Sequence, residues 1–367
     1  MESALQAEGL FESVSLSLIP VGAGRTALHI AVIEKMTFLP LPFAMYASNG
    51  FSAGGIVMDT NAFGIRHTIM AGGYYSSTTL MGLAMYDMPA QNDHTPGASL
   101  FVSFSKNEPK INNINNKRAL EYENMALRAD LKMTEKITEH TSAMAGLGFR
   151  LLRANDGKDA LPAAADSASI GTASLGWSYT SSDWNGWFNS VTEVKAQISL
   201  SQYFGTAADV NLARYVTEGM ASASWQKPVF TPRLRAVGRL AADFLWTAAH
   251  QTAHVAEYKN GSAVGITLLP SYFRTNKIIG AAAGAEFALY KFKYGLLSIY
   301  GNYELVWTRD FSLDAQASND LDEFCHGPNG GLRFYLSKIA FPAVAVGVTY
   351  NIPKNYFQFA AAIGISM

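Results

Sequence analysis

The chain has 367 residues, with 28 Lys and Arg against 29 Asp and Glu, and one cysteine, Cys325. A net charge of −1 offers no basic face to nucleic acid, and a lone cysteine excludes an internal disulfide framework or a multi-cysteine zinc site. Charged residues make up 16% of the chain, where a soluble domain carries about 25%. No run approaches the ~20 apolar residues of a membrane helix; Val344–Val348 and Ala360–Ile365 are the best candidates. What remains is a soluble all-β protein or a transmembrane β-barrel, where alternation hides the membrane from hydropathy.

The opening residues stand apart from the rest. Ser3–Gly9 reads as the end of a helix, with Gly9 as its stop. Val14, Leu16 and Leu18 then alternate with serines, a turn follows at Val21–Gly24, and Leu28, Ile30 and Val32 alternate again. Helix, strand, turn and strand make about half of a small α+β domain, too little to bury a core. Residues 1–35 are therefore expected to close a separate domain and 36–367 to form the main body. Glu2 and Glu8 stand where a signal peptide has a cationic start and an apolar stretch. The natural start is expected upstream of Met1.

Further on, a period of two recurs. Met81, Leu83 and Met85 alternate with Gly82, Ala84 and Tyr86. Leu234, Leu240, Phe244 and Trp246 alternate with Arg233, Arg235, Arg239 and Asp243. Phe287 and Leu289 flank Ala288 after Glu286; Ile299, Tyr303 and Leu305 alternate with Ser298, Tyr300 and Glu304. The same rhythm runs through Leu332–Leu336, Val344–Asn351 and Phe357–Met367. Polar faces of mixed charge suit a watery lumen. The count comes to about sixteen strands, and bacterial barrels have even numbers. A soluble sandwich would alternate too. Strand number, low charge and aromatics near strand ends (Trp184, Trp187, Trp246, Trp307) favour the barrel. Long polar connections are predicted at Asp87–Gly97, Lys106–Lys117, Asn155–Asp166 and Asp310–Asn329, all at the end opposite the short turns.

Enzymatic motifs are missing: there is no G-x-S-x-G, no Walker-type loop and no H-E-x-x-H. The chain is expected not to be an enzyme and to need no metal or cofactor. His250 and His254, near Glu257, read as histidines of an exposed rim loop, and Cys325-His326 as loop without a role. Glu286, Glu304, Arg333 and Arg274 form the candidate lumen network, because charges inside a barrel need partners. Two readings stay open: wall salt bridges, or a latch for an inward-folded loop.

Several short motifs fall in one order along the chain. Gly9–Val14 and Leu28–Glu34 match a "G-L-F-x-x-V" helix exit and an "L-x-I-x-V-x-E" last strand. Glu34–Pro42 matches an "E-K-W-T-x-x-P-x-P" bridge, Phe51–Gly55 an "S-G-G" strand, and Asp59–Gly64 a "D-x-N-x-F-G" run. With Gly330–Arg333 and the last two strands, these resemble the BamA-type outer-membrane assembly factors, the bacterial surface antigen family. The resemblance implies an all-β fold: a transmembrane antiparallel barrel after the end of a truncated α+β (POTRA-like) periplasmic segment at 1–35. It places the chain in the bacterial outer membrane. Its function would be assembly or translocation by opening a lateral seam, with β-augmentation of client proteins. The seam is expected at Gly54 and Gly55 in the first strand and Ala361 and Gly364 in the last. Implied partners are the lipid bilayer, unfolded outer-membrane client proteins and periplasmic accessory lipoproteins. The alternatives are a passive porin or a two-partner-secretion-type transporter. Two departures stand out: the sixth loop, near Lys259–Ile279, lacks the family's "V-R-G-Y/F" motif, leaving Arg274 as the latch candidate, and the chain ends on Met367 instead of an aromatic.

Overall fold

Period-two patterning over most of the chain becomes strand in the computed structural model, which describes all residues except 1–10, 23–24, 35–36, 48–49, 91–94, 113–117, 161, 205–211, 250, 271–272, 294, 310–321, 337–341 and 364–367. Sixteen antiparallel strands close into a barrel. In chain order the strands before and within its first half are β1 (Phe11–Gly22), β2 (Arg25–Glu34), β3 (Phe38–Ala47), β4 (Gly50–Ala62), β5 (His67–Ser76), β6 (Thr79–Met88), β7 (Gly97–Asn107), β8 (Lys110–Asn112), β9 (Arg118–Glu121) and β10 (Glu123–Lys136). The rest are β11 (Thr141–Asn155), β12 (Ala168–Trp184), β13 (Asn189–Phe204), β14 (Tyr215–Val229), β15 (Thr231–Trp246), β16 (Lys277–Phe292), β17 (Gly295–Arg309), β18 (Asp322–Leu336), β19 (Pro342–Asn351) and β20 (Tyr356–Ile363). β1 with β2, and β8 with β9, form separate two-stranded sheets; all others belong to the barrel. No α-helix occurs among the described residues.

β1 and β2 fall where the N-terminal alternation places them, with Leu16 opposite Ile30 and Leu18 opposite Leu28. The helix expected over Ser3–Gly9 lies outside the described residues.

Connections alternate between the two ends of a barrel, so chain order sorts them. One end carries 108–122, 156–167, 205–214, 247–276 and 310–321; the other carries 63–66, 137–140, 185–188, residue 230 and 293–294. Two expectations change. The segment 89–96, within the predicted loop 87–97, sits at the short-turn end, between β6 and β7. The predicted loop 310–329 is too long, because β18 already begins at Asp322 and Cys325 is a buried strand residue. Short turns are fixed by side chains. In the turn after β4, Asp59 Oδ1 accepts from Asn61 N at 3.0 Å and Asn61 Oδ1 from Arg66 N at 2.9 Å, so the D-x-N part of the motif is turn chemistry.

Over β13–β20 the large apolar side chains point outward, as predicted: Leu240, Phe287, Ile299, Leu332, Val348 and Phe359 are exposed, while Glu286, Ser298, Glu304 and Thr349 are buried on the inner face. β3–β7 reverse this. Gly82, Ala84 and Tyr86 pair with Phe104, Val102 and Leu100, and those three are exposed on the outer face. Met81, Leu83 and Met85 therefore face the lumen, contrary to the sequence reading. Antiparallel partners share a face, so register decides the side and a strand's own hydrophobicity does not. Along one inner row, Leu39 pairs with Met58, Met58 with Met70, Met70 with Met85 and Met85 with Phe101.

Candidate functional site

The long segment 247–276 between β15 and β16 folds into the lumen. Its Val264, Ile266, Leu268, Leu269 and Phe273 form a buried cluster with the wall residues Ala241, Ile278, Val306 and Cys325. Gly280 makes room for it: a Cβ there would sit 2.5 Å from Ile266 Cγ1 and 2.8 Å from Val264 Cγ2. The polar hold is Glu304 on β17. Its Oε2 accepts from Thr267 N at 2.8 Å and Leu268 N at 3.1 Å. Asn329 Nδ2 donates to Glu304 Oε1 at 2.8 Å and to Thr267 Oγ1 at 2.9 Å. Hydrogen bonds to a carboxylate are the stronger kind, and Glu304 and Leu268 are both buried, although Thr267 is exposed. Gln358 Nε2 on β20 adds donations to Thr267 O and Leu269 O at 2.9 and 3.0 Å, so the loop touches the last strand.

Nearer the short-turn end lies a second carboxylate. Glu286 has no exposed surface. Arg235 Nη2 donates to its Oε2 at 2.7 Å, Arg333 Nη1 to the same oxygen at 3.0 Å, and Ser298 Oγ and Tyr335 Oη to Oε1. Two guanidiniums on one carboxylate leave a surplus of charge, which aromatic faces absorb: Arg235 lies 4.4 Å from the Phe188 ring centroid and Arg333 3.9 Å from that of Tyr300. Phe188 comes from the turn 185–188, which tucks under the wall with Ala288 and Leu296. Trp187 in that turn sits beneath Arg233 and Lys291 at 5.0 and 5.3 Å. The side chain of Trp184 lies outside the description.

At the long-loop end, β8–β9, 156–167 and 247–276 close over the barrel. Ile111, Leu120, Tyr122, Ala164, Ala165 and Val255 share a small core. Lys158 Nζ lies 3.0 Å from Glu121 Oε1, and this contact, with Lys110 and Arg118 nearby, holds the Glu121 carboxyl below its ordinary value. Arg150 on β11 pairs with Glu257 of the inner loop, and Lys259 Nζ with Glu218 Oε1 at 2.7 Å. His254 is buried, not on a rim: its Nε2 is 2.8 Å from Asp166 O, its Nδ1 accepts from Ala256 N, and Tyr203 lies against its ring. Burial pushes this imidazole below its ordinary pKa. His250 lies outside the described residues. No cluster of three metal-ligating side chains occurs among the described residues.

The predicted network is thus divided. Glu286 and Arg333 meet, Glu304 is a separate site held by backbone N–H groups, and Arg274 belongs to neither. Arg274 donates to Phe273 O at 2.9 Å, beside a residue bridged to Asn112 of the outer cap. The carboxylate is on the wall and the donors are on the loop, so this latch needs no loop arginine. Arg235 was overlooked, although its place on the polar face of β15 was legible. Thr267, Leu268 and Asn329 gave no signal, because the decisive groups at 267 and 268 are main-chain.

The seam is also displaced by one strand. Gly54 and Gly55 lie on β4, between β3 and β5; β3 is the strand that meets β20. A Cβ on Gly54 would run into the Gly73 carbonyl and Tyr74 Cβ, so this glycine serves close packing within the first strands. Ala361 is at the seam, opposite Tyr46. Gly364 lies outside the described residues.

No protein-family model matches the sequence, and no curated protein matches it. Solved structures do. The chain is similar to BamA from Haemophilus ducreyi lacking POTRA domains 1–3, at 12% identity and TM-score 0.65 over 99% of this chain and 77% of that one. It is similar to CdiB from Escherichia coli, at 14% identity and TM-score 0.67 over 96% of this chain and 68% of that one. CdiB from Acinetobacter baumannii matches at 11% identity and TM-score 0.59, over 97% of this chain and 66% of that one. What is shared is the fold.

Proposed function

We propose that this chain is an outer-membrane assembly or translocation barrel that works by parting the seam between β3 and β20. The observation that carries the reading is how much of β20 lies beyond the end of β3. Among the described residues β20 meets β3 only at Ala361–Tyr46, Ala362–Met45 and Ile363–Ala44, whereas β19 and β20 pair from Val344–Ile363 to Asn351–Tyr356. The β3–β4 hairpin turns back after Ala47, so Tyr356–Phe359 extend past the end of β3. Pro40 and Pro42 lie lower on β3 and lack N–H groups, as suits an edge strand. An edge left uncovered over such a stretch can take an added strand by main-chain hydrogen bonding.

Other features support the location and the partners. The exposed outer residues of β13–β20 form an apolar belt suited to lipid, and the fold likeness is to BamA and CdiB. Residues 1–35 are read as the closing part of a POTRA-like periplasmic domain and 36–367 as the barrel. Unfolded outer-membrane proteins are the clients, and periplasmic lipoproteins the accessory partners. A passive porin fits less well, because the loop 247–276 occupies the lumen and the β3–β6 wall is apolar. That wall favours, as second reading, secretion of a partner chain through the lumen. No catalytic step, metal or cofactor enters either reading.

The test is a covalent seam. Tyr46 and Ala361 are opposite one another, so Tyr46→Cys with Ala361→Cys, in a Cys325→Ser background, places two cross-strand cysteines in register. The tied protein is expected to stay folded but to lose insertion of client barrels into liposomes, with reduction restoring it. Normal insertion by the tied form rules out edge opening. Solute leakage without insertion, in both forms, supports the porin.

A further inference from the structure

An open cleft of about 360 Å³ lies at the long-loop rim of β14 and β15, lined by Arg214, Tyr215, Thr217, Trp246, Thr247 and Gln251. It opens on the outside of the barrel. Thr217 and Trp246 are paired, and the side chains of Tyr215 and Trp246 are exposed on the outer face. The indole of Trp246 lies over Gly219. Thr247 Oγ1 donates to Gln251 O at 2.8 Å, and Gln251 N to Ala248 O at 3.1 Å, which shapes the upper lip. Below the cleft the outer face is aromatic: Phe244 meets Trp246 at 5.9 Å and Trp307 at 6.4 Å between ring centroids, both edge-on. Arg214 is exposed and has no ion-pair partner among the described residues.

We propose that this cleft binds the phosphorylated headgroup of a membrane lipid. Three chemistries meet there and restrict the ligand. A guanidinium presents a fork matched to phosphate oxygens. The Trp246 face offers a flat apolar surface to the C–H side of a sugar or glycerol, with the hydroxyls of Tyr215 and Thr217 and the Gln251 amide beside it for the polyol. Phe244 and Trp307 continue downward as a surface for acyl chains. Free phosphate uses only the first of these and a neutral lipid only the last. A phosphorylated, hydroxylated and acylated molecule uses all three. The inference goes beyond the transport reading and depends on it only for the outer face meeting lipid, so it stands if the seam never opens.

The experiment uses the full chain in detergent, with bound lipid counted by native mass spectrometry during titration. The probes are a diphosphorylated acyl-disaccharide lipid, the same lipid after phosphatase treatment, phosphatidylglycerol and inorganic phosphate. The diphosphorylated lipid is expected to bind about tenfold or more tightly to the wild type than to Arg214→Gln, as the loss of one charge-assisted pair implies. Trp246→Leu is expected to weaken it by a smaller factor. Dephosphorylation of the lipid should mimic Arg214→Gln, and Lys227→Gln at the opposite end should change nothing. Heat-modifiable gel mobility checks that each variant folds. Equal, Arg214-dependent binding of phosphatidylglycerol supports the site and assigns its source to phospholipid. Unchanged binding by Arg214→Gln, or full displacement by millimolar inorganic phosphate, overturns the proposal.

Discussion

The two sides of this barrel are built on opposite plans. Strands β15–β20 carry large apolar side chains outward and bury Glu286, Glu304 and Thr349 inward, beneath the loop 247–276 and the turn 185–188. Strands β3–β6 turn small residues such as Ala71, Gly73, Gly82 and Ala84 outward among a few larger ones such as Val57 and Ile69, and line the lumen with methionine and leucine, none of them fully buried. One side is a finished core. The other is a half-open apolar surface ending at the edge where β3 meets β20. Methionine is flexible and polarisable, which suits surfaces that repack around varied partners. The contrast teaches that stability and the proposed work are segregated: the C-terminal strands hold the shape, and the N-terminal strands adjoin the edge that the proposed function would part.

The largest expected effect is on the finished side. Glu286→Ala leaves the buried Arg235 and the half-buried Arg333 without their carboxylate, costing about 3–5 kcal/mol. Heat-modifiable migration on a gel should then move to a clearly lower temperature; an unchanged transition means the pocket is wet. Glu304→Gln weakens the hold on Thr267 and Leu268 by about 1.5–3 kcal/mol, the worth of hydrogen bonds to a charged group. Small-solute leakage through reconstituted barrels should rise, and a tight barrel would show that the apolar contacts alone seat the loop.

On the working side the effects on stability should be smaller and those on transport larger. Met70→Ala removes a half-buried side chain, worth about 1 kcal/mol, so melting should hardly change. Met70→Glu should keep the fold yet depress client insertion, and a wild-type rate would remove the apolar wall from the mechanism. The smallest effect is the pH response of the inner loop. Burial keeps His254 neutral, with its folded value below the ordinary 6.5. The unfolded chain then binds a proton that the folded loop refuses, so its contribution is complete above about pH 6.5 and is lost as pH falls through the lower folded value. Protease nicking within 247–276 should quicken from pH 7.5 to 5, and His254→Gln should flatten that dependence.

The alternation along β13–β20 was legible because each strand has one lipid-like and one polar face, so period and face coincide. It misled at β6, where both faces are apolar or small and only the pairing with β7 chooses between them. The carboxylates Glu286 and Glu304 were visible as charges on inward faces. Their partners were not, since Arg235 lies 51 residues from Glu286 and Thr267 lies 37 from Glu304.

The sequence by itself determined the class of fold, since low charge, the lack of any long apolar run and a sustained period of two admit few architectures other than a barrel of about this size. The family resemblance placed a sixth loop near Lys259–Ile279, which overlaps the segment 247–276 that fills the lumen. Tertiary structure alone decided which strand closes the barrel, which wall of the lumen is apolar and what holds the loop. Each of these is a matter of register or of main-chain donors. Register is set by neighbours across the sheet, and a backbone N–H that finds a carboxylate leaves no mark in the identity of its residue.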